Sequence, residues 1–112
     1  GLFGIREEKD TQAFLKTYEG ELEMAVGHWH RAVGAWRVGI RELRSHGTPG
    51  DLALVLRDVA SFYAKRGFAN ESRSYLLEAR SIAGKIGNRD LLAKVESDLK
   101  LLGVTAGTNV LP

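Results

Sequence analysis

Residues 53–87 read ALVLRDVASFYAKRGFANESRSYLLEARSIAGKIG, and this stretch carries the strongest structural signal in the chain. Large apolar residues recur at spacings of three and four before Gly67, as in Leu56, Val59 and Tyr63, and again after it. Such spacing places the apolar side chains on one face of an α-helix. Because glycine readily adopts the left-handed conformation that ends helices, Gly67 predicts a turn. The stretch is therefore predicted to be a pair of helices.

The same periodicity extends to both sides and predicts five helices in all. We expect them at about residues 7–26, 28–45, 48–66, 70–86 and 88–102. The apolar stripe of the first is predicted to be Leu15, Tyr18, Leu22 and Val26, and that of the second contains Trp29, Ala32, Val33, Trp36, Ile40 and Leu43. No segment alternates apolar and polar residues as a half-buried strand would. The fold class predicted is all-α.

Capping residues and glycines mark the ends of these helices. Thr48 followed by Pro49 is a typical helix start, and Asn70 and Asn88 are predicted to cap the last two helices. Gly47 is expected to end the second helix in a left-handed conformation, and Gly103 to end the fifth. Glycines also lie inside the predicted helices, where close helix–helix approach explains them; they are Gly20, Gly34 and Gly39.

Composition limits the classes of protein to which the chain can belong. It has 112 residues, 44% of them hydrophobic and 27% charged, with a net charge of +2 and no cysteine. Disulfides, thiolate nucleophiles and cysteine-ligated zinc are therefore excluded. No apolar run reaches the roughly 18 residues of a membrane helix, and no signal peptide is evident. We expect one cytoplasmic domain over residues 5–103, a loose tail over 104–112, and an origin in a larger protein, since the chain does not begin with Met.

An internal repeat relates the two halves of the sequence. A shift of 40 residues superposes Gly27 on Gly67, Trp36 on Leu76 and Gly47 on Gly87. The first helix matches the third best at a shift of 41, which aligns Leu15, Tyr18 and Leu22 with Leu56, Val59 and Tyr63, and the third matches the fifth at 39. A drift of one residue in a turn would explain both. Repeated helix pairs that cannot bury their stripes alone indicate a solenoid, with the fifth helix as its cap.

The second repeat resembles a known family. The resemblance rests on the spacing of Leu56, Val59, Ala60, Tyr63, Gly67, Ser72, Leu76 and Ala79, which is similar to that of the tetratricopeptide repeat. The longer period resembles the extended repeats of bacterial signalling and transcription regulators, and the likeness covers about residues 12–102. It implies a right-handed superhelix of antiparallel helix pairs, and a protein- or peptide-binding role instead of a reaction.

The resemblance also implies a concave groove lined by the first helix of each pair. By position, this peptide-binding groove comprises Lys16, Thr17, Glu23, Met24, Leu54, Arg57, Asp58, Ser61, Lys65, Glu96 and Lys100. Arg57 and Lys65 would favour an extended ligand of some acidic character. The family's carboxylate-binding subset carries asparagines where this chain has Gly20 and Ser61, so a chaperone C-terminal peptide is disfavoured.

Other chemistries find little support in the residues. His28 and His30 point about 200° apart on a helix, and Ser45, His46 and Ser61 have no recognisable acid–base partners. We therefore expect no catalytic residues, no metal and no cofactor, and hence no enzyme.

Two patterns leave other functions open. Trp29 and Trp36 lie seven residues apart on one face, where core packing is favoured over an exposed patch that makes a homodimer. Arg37, Arg41 and Arg44 form a basic stripe that suits a solvated helix or a phosphate-contacting face. The leading prediction is a non-enzymatic module that binds a protein or peptide, within a larger regulatory protein. The alternatives are a homo-oligomerisation module and, third, a nucleic-acid contact through the arginines; a membrane partner is not expected.

Overall fold

Five α-helices form the fold in a computed structural model, which describes the backbone of residues 2–110 and the side chains of residues 11–103. They are α1 (Leu2–Ala25), α2 (Trp29–His46), α3 (Pro49–Lys65), α4 (Ala69–Ile86) and α5 (Arg89–Val110). No strand occurs between residues 2 and 110. The prediction of an all-α fold with five helices is confirmed. Within the described part of the chain, none of these helices has the length and apolar character of a membrane span.

The helices belong to two compact units, Gly1–Val55 and Leu56–Pro112. The first unit holds α1, α2 and the first turns of α3, and the second holds the rest of α3 with α4 and α5. The boundary falls inside a continuous helix, so it is not marked by a linker.

Two of the predicted caps are confirmed and two details are wrong. Thr48 Oγ1 accepts the backbone N–H of Asp51 at 3.2 Å, and Asn88 Oδ1 accepts that of Leu91 at 3.0 Å. Asn70 does not cap α4, because that helix begins at Ala69, with Phe68 at the N-cap position, two residues before Asn70. Gly47 follows α2 in an extended conformation, with φ of −84°, and not in the left-handed one.

The ends of the chain also differ from expectation. α1 begins at Leu2, before the predicted start near residue 7, and α5 continues past Gly103 to Val110. One glycine in a helix costs only about 1 kcal/mol, so Gly103 does not by itself stop a helix. The last two residues of the predicted tail lie outside the described residues.

The two turns at the predicted repeat positions have the same backbone geometry. Gly27 and Gly67 have positive φ of 89° and 84°, and the residues after them, His28 and Phe68, have nearly equal backbone angles. The His28 N–H donates to Glu23 O at 2.8 Å, and the Phe68 N–H donates to Tyr63 O at 2.9 Å. Because the hydrogen bonds match residue for residue, the interval of 40 holds through the turn without a drift.

In the first unit, α1 and α2 pack antiparallel around Trp36. Its side chain is 1% exposed, and its indole Nε1–H donates to the carbonyl of Thr17 at 3.2 Å. The indole ring lies against Gly20, where the Cβ of any other residue would overlap it. Gly39 allows a similarly close approach of the Ala13 backbone. The predicted close approach is confirmed at these two glycines but not at Gly34, which faces open space.

The apolar stripe predicted to face inward from α1 is exposed instead. Leu15, Tyr18, Leu22 and Val26 are each between 58% and 67% exposed. The buried positions are Ala13, Thr17 and Gly20, on the opposite side of the helix. The reason is steric: small residues let α1 approach the large indole of Trp36, which a row of leucines would hold away.

In the second unit, α3 packs against α4 and carries much of the core. Leu56, Val59, Ala60 and Tyr63 are buried, as predicted. Ser72 is 1% exposed and its hydroxyl donates to the carbonyl of Ala60 at 2.8 Å, while the rings of Tyr63 and Tyr75 lie 5.6 Å apart. α5 packs on α4, with buried side chains from Leu91, Val95 and Leu102.

Candidate functional site

An open cleft of about 410 Å³ lies in the second unit, and we call it the α3–α5 cleft. Helix α3 supplies Arg57, Asp58, Ser61 and Ala64; the other lining residues are Ser72, Leu76, Asp98, Leu101 and Leu102, from α4 and α5. The spacing of 57, 58, 61 and 64 places the α3 residues on one helix face. The floor is apolar, because Leu76 and Leu102 are buried there, and the polar groups lie at the rim.

An ion pair between α3 and α5 crosses the rim of the cleft. Arg57 donates from Nε to Asp98 Oδ2 at 2.5 Å and from Nη2 to Asp98 Oδ1 at 3.3 Å. The hydrogen bond to Asp98 raises the pKa of Arg57, burial opposes the increase, and the negative charges of Asp98, Asp58 and Asp90 add to it. A two-point contact of this kind fixes orientation as well as charge, so it positions α5 against α3.

The other predicted groove cation of α3, Lys65, also has a partner within the protein. Its Nζ lies 5.6 Å from the centre of the Phe62 ring, a cation–π geometry. The Ser61 hydroxyl donates to the carbonyl of Asp58 at 2.6 Å and so retains its acceptor lone pairs for a ligand.

The site does not have the positive charge that Arg57 and Lys65 suggest in the sequence. The ionisable groups that line the cleft are one guanidinium, already held by Asp98, and the carboxylates of Asp58 and Asp98. Carboxylates therefore outnumber cationic groups among the side chains that line the cleft. The arrangement suits an apolar side chain that enters the floor next to a cation or an N–H donor, and it does not suit the acidic ligand suggested by Arg57 and Lys65 in the sequence.

Of the groove residues predicted in the first unit, Thr17 is placed wrongly by the sequence. It is buried on the face of α1 that packs on α2, and its hydroxyl donates to the carbonyl of Ala13 at 3.1 Å. Its side chain is unavailable to a ligand because Trp36 and Gly39 cover that face.

The remaining residues predicted in that unit are accessible. Lys16 is exposed and pairs with Glu19 at 3.0 Å, and Glu23 pairs with His28 at 2.7 Å. Met24 is half-buried and Leu54 is 46% exposed. Lys16 lines a second open groove, of about 450 Å³, between α1 and α2; its other lining residues are Gln12, Leu15, Glu19, Val38 and Glu42.

The residues of α5 that line the cleft are not the ones that were predicted to line the groove. Glu96 and Lys100 are exposed, but Asp98, Leu101 and Leu102 line the cleft in their place. The shift of 39 aligned Glu96 with Arg57 and so pointed to a different face of α5. No local pattern marks the contact between Arg57 and Asp98, because the two residues are 41 positions apart and meet only through packing.

The other candidate chemistries are placed as follows. Among residues 11–103, no group of three or more histidine and acidic side chains is arranged to hold a metal ion. Trp36 is buried and packs edge-on against Trp29, with ring centres 5.5 Å apart, so the core-packing interpretation is confirmed for Trp36, whereas Trp29 is half-buried. The arginines of the basic stripe, Arg37, Arg41 and Arg44, are all exposed on α2.

Comparisons with known proteins assign no family to this arrangement. No family model, curated protein or solved structure matches the chain.

Proposed function

We propose that the protein is a non-enzymatic interaction module, similar to the tetratricopeptide repeat, that binds a protein or peptide segment within a larger cytoplasmic regulator. The proposal includes the right-handed superhelical arrangement that the resemblance implies. The equal turn geometry at Gly27 and Gly67 supports a repeat of 40 residues, although α1 does not follow the spacing of α3.

The observation that carries the proposal is the α3–α5 cleft. It combines an apolar floor at Leu76 and Leu102 with a polar rim held in place by the Arg57–Asp98 pair. Binding sites commonly have this composition, in which apolar surface provides affinity and a few polar groups fix orientation. A rigid rim also lowers the entropy lost when a ligand binds.

The chemistry of the cleft defines the ligand more narrowly. A leucine-sized side chain suits the floor, and because two carboxylates and one guanidinium line the cleft, a ligand with a lysine or arginine beside that side chain is favoured over an acidic one. The Ser61 oxygen can accept an N–H from the ligand backbone. We expect the bound segment to be apolar with basic flanks.

Selection from a random phage-displayed peptide library against the immobilised protein tests the proposal. We expect the selected peptides to contain a large apolar residue beside Lys or Arg. Ser61→Trp should abolish their binding, because the indole would fill the mouth of the cleft. Ser61 is exposed, so the protein should still fold.

The matched control is Ser81→Trp, which places the same side chain at an exposed serine of α4 outside the cleft. A second control is the pair Arg37→Glu and Arg41→Glu on the basic stripe. Binding that survives Ser61→Trp but disappears with the arginine changes, and depends steeply on salt, would instead favour a nucleic-acid contact.

A further inference from the structure

The floor of the α3–α5 cleft has a counterpart in the first repeat, formed by α1 and α2. At the interval of 40 residues that the turns obey, Leu76 on the floor corresponds to Trp36. The pattern of buried, half-buried and exposed residues is identical over 28–39 and 68–79, so the two positions are structurally equivalent. The first repeat therefore shows what kind of side chain packs at this position.

Two more lining residues of the cleft are smaller than their counterparts in the first repeat. Ser61 corresponds to Glu21, and Ala64 corresponds to Met24. A large-to-small difference leaves open space unless the surroundings close on it. Here they do not close, because the cleft retains an open volume of about 410 Å³. The second repeat is thus open where the first repeat carries larger side chains.

The side chain that packs at this position in the first repeat is an aromatic ring with an N–H donor. Trp36 is 1% exposed, and its Nε1–H donates to the carbonyl of Thr17 at 3.2 Å. In the second repeat Ala60 replaces Gly20, and a methyl group at that position overlaps the place of the Trp36 ring. A ring in the cleft therefore lies farther out, beside Ser61, whose oxygen can accept its N–H.

We infer that the segment bound by the α3–α5 cleft inserts an aromatic side chain, for which tryptophan is the best match. The inference rests on the proposed function and narrows its ligand from a large apolar residue to a ring. Aromatic side chains that fill pockets provide much of the binding energy of protein interfaces. Because carboxylates outnumber cationic groups in the lining, a positive charge beside the ring is favoured over a negative one.

Two small amines test the preference for a ring without a peptide. Tryptamine carries an indole and an ammonium group, and 3-methylbutylamine carries an ammonium group on the skeleton of a leucine side chain. We expect tryptamine to shift the backbone amide NMR signals of Ser61 and Asp98. It should bind at least about fivefold more tightly than 3-methylbutylamine, because the ring buries more apolar surface. Equal affinities of the two amines would overturn the inference.

Ala64→Met tests whether the ring binds in the cleft, since it restores the residue that the first repeat has at Met24. The longer side chain should fill part of the cleft and weaken tryptamine binding by at least about fivefold. Ala64 is exposed, so the variant should fold. Ala93→Met is the matched control, because Ala93 is an exposed alanine of α5 that does not line the cleft. Tryptamine binding that is unchanged in Ala64→Met would show that the ring binds elsewhere.

The library-selected peptides separate this inference from the proposed function. Replacement of their aromatic residue by leucine should weaken binding by at least about fivefold. If Ser61→Trp abolishes binding but the leucine replacement leaves the affinity unchanged, the cleft binds peptides without a preference for a ring, and only this inference is wrong. If the library yields no binding peptide, the proposed function is wrong as well.

Discussion

Trp36 is the residue around which the first unit is built. Its ring occupies the position of a missing side chain at Gly20, and its Nε1–H is satisfied by a backbone carbonyl of α1. A buried indole without a hydrogen-bond acceptor would lose roughly 1–3 kcal/mol. The glycine and the tryptophan therefore depend on each other, and we expect neither to tolerate substitution alone.

Gly20→Ala should lower the free energy of unfolding by roughly 1–3 kcal/mol. Alanine gains about 1 kcal/mol in helix propensity, but its Cβ would overlap the Trp36 ring and displace it from Thr17 O. Urea denaturation followed by tryptophan fluorescence measures the change.

Gly34→Ala is the matched control for that substitution. Gly34 lies inside α2 with no atom within 4 Å of an added Cβ, so alanine should stabilise the protein by about 0.5–1 kcal/mol. If both substitutions stabilised the protein equally, the tight packing of Trp36 on α1 would be incorrect.

At the scale of helices, α1 and α3 differ in the face that they bury. Leu22 and Tyr63 are equivalent at a shift of 41, yet Leu22 is 58% exposed and Tyr63 is 7% exposed. At the shift of 40 that the turns obey, Gly20 corresponds to Ala60 and Trp36 to Leu76. In the first pair the small residue lies against the large one, since an added Cβ at Gly20 would overlap the Trp36 ring, and in the second pair both corresponding residues are buried.

Truncation of side chains on the two helices tests which face each of them buries. Tyr63→Ala should lower the free energy of unfolding by roughly 2–5 kcal/mol, and so should Leu76→Ala, since both side chains are buried. Leu22→Ala should change it by less than about 0.5 kcal/mol, because Leu22 is 58% exposed. A large loss for Leu22→Ala would show that this face of α1 is buried and would contradict the packing described here.

At the scale of the whole molecule, helices account for most of the chain. Circular dichroism should therefore give a helix content well above half, with a strong minimum at 222 nm, against about one third in an average globular protein. A content below half would contradict the five-helix fold.

The net charge of +2 does not by itself indicate a partner, because acidic and basic residues alternate along the chain. The charge of each surface is more informative about ligands than the net charge of the chain. Two carboxylates and one guanidinium line the α3–α5 cleft and the exposed arginines lie on α2, so added salt should weaken the binding of a basic ligand at the cleft and of an acidic ligand at the arginines.

Local patterns were enough to determine the helices and several of their ends. The spacing of Leu56, Val59 and Tyr63 predicted a buried face that the structure contains, and Thr48 and Asn88 cap as expected. Gly27 and Gly67 marked turns because a positive φ is costly for other residues. These features depend on residues within a few positions of one another, so a sequence records them directly.

Tertiary structure alone decided which side of α1 is buried, which face of α5 meets α3, and the charge of the cleft. An apolar stripe indicates that burial of a helix face is favourable. It does not indicate whether a neighbouring helix can pack against that face. On α1 the face that contains Gly20 packs against Trp36, and the face that contains Leu15, Tyr18 and Leu22 is therefore exposed to solvent. The pairing of Arg57 with Asp98 likewise arises from packing between distant segments, since charge and spacing along the chain do not specify contacts across it.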